Sequence, residues 1–136
     1  MVPKHRPKQI EFIEQRKKND CGVACVAMLV GHLYSEIIVL FPKLKRTKGG
    51  LFPDELFEIF EDLNFSYKEN NVLPKKGRAL VAISWNDKTL SGHYVVWDSV
   101  RKQFLDPTHG VINKRELLNL AKIDYIWRIT KIKETI

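Results

Sequence analysis

What most constrains this chain is a change of period near residue 66. Before it, apolar residues fall in helix-length groups with helix start and stop signals. After it, runs rich in β-branched and aromatic residues alternate with turn residues. Asp20 is a good N-cap for Cys21-Gly22-Val23-Ala24-Cys25-Val26-Ala27-Met28-Leu29-Val30, a run that ends at Gly31. It is apolar nearly all round, so the helix it predicts is a buried one. An extended segment is expected over Gln9 to Glu14, and a short helical turn from Ser35 to Phe41, stopped by Pro42. Pro53, at a first helical position, opens a helix to Leu63 with Leu56, Phe57, Phe60 and Leu63 on one face. Asp54 and Glu55 suit its positive dipole end. Strands are expected over Ala79 to Trp85, His93 to Asp98, Gln103 to Asp106 and Tyr125 to Ile132, with a short helix from Lys114 to Ala121. Helices first and strands afterwards predict an α+β fold, a helical half packed on a C-terminal antiparallel sheet.

No repeat or linker divides the 136 residues, so one domain is expected over 1–136, with 1–8 a flexible basic tail. The longest uncharged apolar runs fall well short of the roughly 20 residues that span a bilayer, so no membrane span is predicted. The basic N-terminus lacks the apolar stretch of a secretory signal, and a cytoplasmic location is the expectation. Cys21 and Cys25 are too few for a disulfide framework, and neither they nor the histidines show a metal-ligand pattern. No metal or cofactor is expected. Lys+Arg 23 against Asp+Glu 16 gives +7, spread through Arg16 to Lys18, Lys43 to Lys48 and Lys75 to Arg78. Such scattering reads as a solvated basic surface. It leaves an acidic partner open, whereas nucleic acid lacks a recognition motif.

Chemistry converges on a few residues. Cys21 stands in the first turn of the buried helix, where free backbone N–H groups and the dipole stabilise a thiolate. Gln15, six residues upstream, could return its amide to complete an oxyanion hole with the Cys21 N–H. His93 follows the flexible Ser91-Gly92 and could reach the helix end as a base. Asp106, before Pro107, would lie beside His93 through hairpin pairing and orient its ring. Each has a plainer reading: a packed cysteine, a solvated glutamine, a strand histidine bonded to a carbonyl, a turn aspartate. Cys25, a turn deeper, is assigned to the core, and Asp20 to capping. Asp98, five residues past His93 on the same strand, points to the opposite face.

The combination resembles the bacteriocin-processing cysteine peptidases, the papain-like domains at the front of peptide-exporting ABC transporters. The resemblance runs from Ile10 to Ile132. It rests on Gln15-Arg16-Lys17-Lys18-Asn19-Asp20-Cys21-Gly22-Val23-Ala24-Cys25-Val26-Ala27-Met28, on Gly50-Leu51-Phe52-Pro53-Asp54-Glu55-Leu56 with Leu63-Asn64-Phe65, and on Gly92-His93-Tyr94-Val95-Val96-Trp97 with Leu105-Asp106-Pro107. It implies a papain-like fold with Cys21 as nucleophile, His93 as base and then acid, Asp106 as orienter and Gln15 as oxyanion donor. The substrate implied is a peptide or protein, such as a leader peptide. The sequence carries neither the membrane helices nor the ATPase of the best-known members, so coupling to transport is not predicted. The basic stretch Phe41 to Gly50 departs from the expected narrow groove and keeps an acidic protein substrate open. Two alternatives stand beside hydrolysis: deamidation or acyl transfer on a glutamine through the same thioester, and a module that binds a peptide or nucleic acid without turnover.

Overall fold

The computed structural model describes residues 10–14, 21–41, 52–86 and 93–132. Helix α1 (Cys21–Val30) ends at Gly31, whose φ of 77° lies in the left-handed region that favours glycine. Helix α2 (Tyr34–Leu40) and helix α3 (Pro53–Asp62) follow. At the start of α3, Pro53 occupies the first turn and the Glu55 carboxylate accepts the Phe52 N–H at 2.9 Å, satisfying an otherwise orphaned donor. Residues 10–14 form no regular element, although Ile10 is buried in the core. The strands are β1 (Phe65–Asn70), β2 (Arg78–Trp85), β3 (His93–Asp98), β4 (Gln103–Asp106), β5 (Gly110–Asn113) and β6 (Ala121–Lys131), with α4 (Lys114–Leu120) before the last. All pairings are antiparallel, in the order β1-β6-β2-β3-β4-β5.

The α+β architecture is as the sequence predicts, with two strands beyond those expected, β1 and β5, and a β6 that starts four residues earlier than Tyr125. The sheet is covered on both faces. On one, Leu80, Ala82, Tyr94, Val96, Leu105 and Trp127 pack against α1, α2 and α3; on the other, Val81, Ile83, Val95, Trp97 and Phe104 pack with Leu117 of α4. Burial on both faces explains why β2 and β3 read as nearly continuous apolar runs instead of alternating. Helix α1 is buried along nine of its ten residues, and each large side chain it places in the core contributes about 1.5–3 kcal/mol. That helix packs directly on β3, with Gly22 at the start of α1 against Tyr94 at the start of β3.

Candidate active site

Cys21 is the first residue of α1 and is half-buried. Its neighbour Gly22 allows a close approach: a Cβ there would lie 3.3 Å from Leu56 Cδ2 and 3.5 Å from Tyr94 Cδ2. The N-terminal turn of α1 thus presses on both α3 and β3. His93 opens β3 and is only 8% exposed. Its ring bonds on both sides, through Nε2 to Asp106 Oδ1 at 2.8 Å and to the Cys21 side chain. With Nε2 engaged by the carboxylate, Nδ1 is the nitrogen left to serve the sulfur.

Asp106 ends β4 and is fully buried. The register Val96↔Leu105, extended by one step, sets Asp106 opposite Val95, so His93 is its diagonal neighbour on the same face. The hairpin therefore joins the two residues as expected, two positions offset from direct pairing. The carboxylate also takes the Thr108 backbone N–H on Oδ1 at 2.9 Å and His109 Nδ1 on Oδ2 at 3.0 Å. The Trp85 indole lies against both imidazoles, with ring centroids 5.4 Å from His93 and 5.3 Å from His109.

These surroundings set the protonation states. Burial alone would push the His93 imidazolium towards deprotonation, but the bonds to Asp106 and Cys21 outweigh it and raise its pKa to about 9. Burial likewise disfavours the Asp106 carboxylate, yet the His93 bond, followed by Thr108 and His109, holds its pKa below the ordinary carboxylate value. At neutral pH the pair is thus an imidazolium on a carboxylate, with a cysteine sulfur at the other ring nitrogen. An imidazolium beside a sulfur is placed to hand a proton to a leaving group. Cys25 differs: burial first, then the charges of Cys21 and Asp106, push its thiol well above the ordinary value, so it stays protonated in the core.

The structure brings Cys21, His93 and Asp106 together. Gln15 and Asp20 lie outside the described residues, as does the basic tail 1–8. Asp98, the rival acid, accepts the Val100 and Arg101 N–H groups with Oδ1 and so closes the β3–β4 turn. His109 and Trp85 were not singled out by sequence reasoning. An Asp followed three residues later by His across a Pro-containing turn is the one local signal that could have found His109.

A half-buried cysteine at a helix start, an imidazole bonded to it and a buried carboxylate behind the imidazole, on an antiparallel sheet, are the marks of a papain-like cysteine peptidase. The profile of the Peptidase C39 family matches residues 9–124; the chain belongs to that family and is a cysteine peptidase. Among solved structures, it is similar to a double glycine motif protease from an AMS/PCAT transporter in complex with the leader peptide. The TM-score is 0.67 and the identity 17%, over 95% of this chain and 96% of that one. It is also similar to the peptidase domain of Streptococcus ComA, a bi-functional ABC transporter involved in a quorum sensing pathway: TM-score 0.62, identity 15%, 91% of this chain and 100% of that one. The peptidase domain of Streptococcus mutans ComA gives 0.53 at 15% identity, over 88% and 98%. No curated protein sequence matches significantly. Among the described residues no single helix is long and apolar enough to cross a membrane.

Proposed function

We propose that this peptidase cleaves its substrate through an acyl-enzyme on Cys21, with His93 as the proton carrier, Asp106 as its orienter and Gln15 as an oxyanion donor. The observation that carries the reading is the chain of bonds from the buried Asp106 Oδ1 through the His93 ring to the half-buried Cys21. The Cys21 thiolate attacks the scissile carbonyl carbon; a C–S bond forms as the carbonyl electron pair moves onto oxygen. The free N–H groups of the first turn of α1 and the Gln15 amide stabilise that oxyanion. His93 gives its Nδ1 proton to the leaving amine, the C–N bond breaks, and a thioester remains. Water then loses a proton to the neutral imidazole and attacks the thioester, and collapse of the second tetrahedral intermediate releases the carboxylic acid and the thiolate. Asp106 stays ionised throughout and balances the imidazolium.

For the substrate we favour a peptide carrying a leader that ends in two glycines, because the similar solved structures include a double glycine motif protease bound to a leader peptide. The test is incubation of the protein, and of Cys21→Ala, with a synthetic peptide containing Gly-Gly, read by mass spectrometry. Two fragments whose masses sum to the peptide plus one water, formed only by the unsubstituted protein, support the reading. An intact peptide contradicts the substrate class, and a gain of about one dalton on a glutamine-containing peptide indicates deamidation instead.

A further inference from the structure

Asp106 is held by two histidines, and the mechanism above uses only one. We propose that His109 is a positioning residue for the Cys21–His93 pair. By donating its Nδ1 proton to Asp106 Oδ2 it fixes the plane of the carboxylate, so that Oδ1 stays aligned on His93. This inference rests on the assignment of Cys21, His93 and Asp106 given above.

An ionised carboxylate only accepts, so the 3.0 Å contact requires His109 Nδ1 to be the donor. Oδ1 already takes His93 and the Thr108 N–H. His109 Nδ1 bonds Oδ2, and without it this fully buried oxygen would lose that donor. The Cβ–Cγ torsion of an aspartate has a broad profile, so nothing intrinsic would stop the carboxylate turning to share its remaining donors between both oxygens. The Oδ1 bond to His93 would then be made for only part of the time. Local structure places His109 for the task. The turn Asp106-Pro107-Thr108-His109 closes at Gly110, which pairs with Asp106 at a φ of +93°. Trp85 braces the His109 ring edge-on, at 76°, and leans on His93 at 33°, so one indole limits the swing of both imidazoles. The His109 side chain is 55% exposed, so its removal opens no core cavity.

Asparagine separates donor from ring, because its Nδ2 stands the same number of bonds from Cα as histidine Nδ1. The experiment measures iodoacetamide alkylation of Cys21 near pH 6.5 by intact-protein mass spectrometry. It compares the unsubstituted protein with His109→Leu, His109→Ala, His109→Asn and His93→Ala, follows the His93 ring titration by NMR, and uses thermal melting to verify folding. The expected result is a loss of about tenfold in rate for His109→Leu and His109→Ala. His93 should titrate at lower pH in both variants, and His109→Asn should recover most of the rate and of the shift. The proposal is overturned if the leucine and alanine variants match the unsubstituted protein, or if asparagine is as slow as leucine. If His93→Ala is itself as fast as the unsubstituted protein, the assignment of the pair fails and His109 has nothing to position.

Discussion

Replacing Asp106 by Asn in a Cys21→Ser background, where the thiol's own titration is absent, isolates what the carboxylate does to His93. In the unsubstituted protein His93 stands at about 9 against an ordinary 6.5. That gap of about 2.5 units corresponds to roughly 3 kcal/mol favouring the protonated ring. Burial opposes this shift, and the Asp106 bond is the first of the effects that raise it. Removing the carboxylate leaves a largely buried ring whose surroundings disfavour charge, so its titration should fall to about 6.5 or below. A raised His93 stabilises the fold fully below about pH 6.5, and that contribution disappears as pH climbs through about 9. Cys21→Ser, whose His93 pKa lies below 9 because the Cys21 contribution is gone but stays raised by Asp106, should therefore lose melting temperature as pH climbs from about 6.5 through that raised pKa, whereas Cys21→Ser/Asp106→Asn should not, and should instead weaken as its buried ring is forced to charge at low pH. NMR of the imidazole nitrogens together with melting curves across pH reads both effects. A His93 that still titrates near 9 in the double variant would show that Asp106 does not raise it.

Gly22→Val should destabilise by about 1–3 kcal/mol in denaturant unfolding, since its branched side chain must displace Leu56 and Tyr94 at the α1–α3 and α1–β3 contacts. It should also slow Cys21 alkylation, because the helix start moves with it. Cys25→Ala should cost about 1 kcal/mol or somewhat more for the lost packing, yet leave the rate of Cys21 alkylation within about twofold, as Cys25 is a buried, protonated filler. The Asp106 pKa lies below the ordinary carboxylate value, so its contribution to stability is present above about pH 4 and is lost as pH falls further; an acid titration followed by fluorescence should show that loss attenuated in His93→Ala.

The sequence was most legible where the signal is local. Helix α1 is legible to the residue because its apolar run ends at a glycine, and the start of α3 because Pro53 marks it, while α3 ends at Asp62, one residue before the expected Leu63. Strand β3 was equally plain, a run apolar enough for burial on both faces. Strand β1 was missed because Phe65-Ser66-Tyr67-Lys68-Glu69-Asn70 is largely polar and lies at the sheet edge; its strand character comes from pairing with β6, some sixty residues further on. The four-residue β5 is too short to show a period, and the start of β6 was hidden by the charged Lys122 and Asp124. At the site, residue types and hairpin logic were enough to bring His93 and Asp106 together. They were silent on the far oxygen of Asp106 and on the indole shared by two imidazoles. Those contacts depend on how one turn folds back over the end of β2, which no spacing rule reports.

If His93 holds Cys21 as a reactive sulfur, selective alkylation will report it. Brief iodoacetamide treatment at about pH 6.5, followed by peptide mapping, should label Cys21 and spare Cys25, with a rate at least about tenfold lower in His93→Ala. Equal labelling of the two cysteines, or a Cys21 rate untouched by the loss of His93, would contradict it.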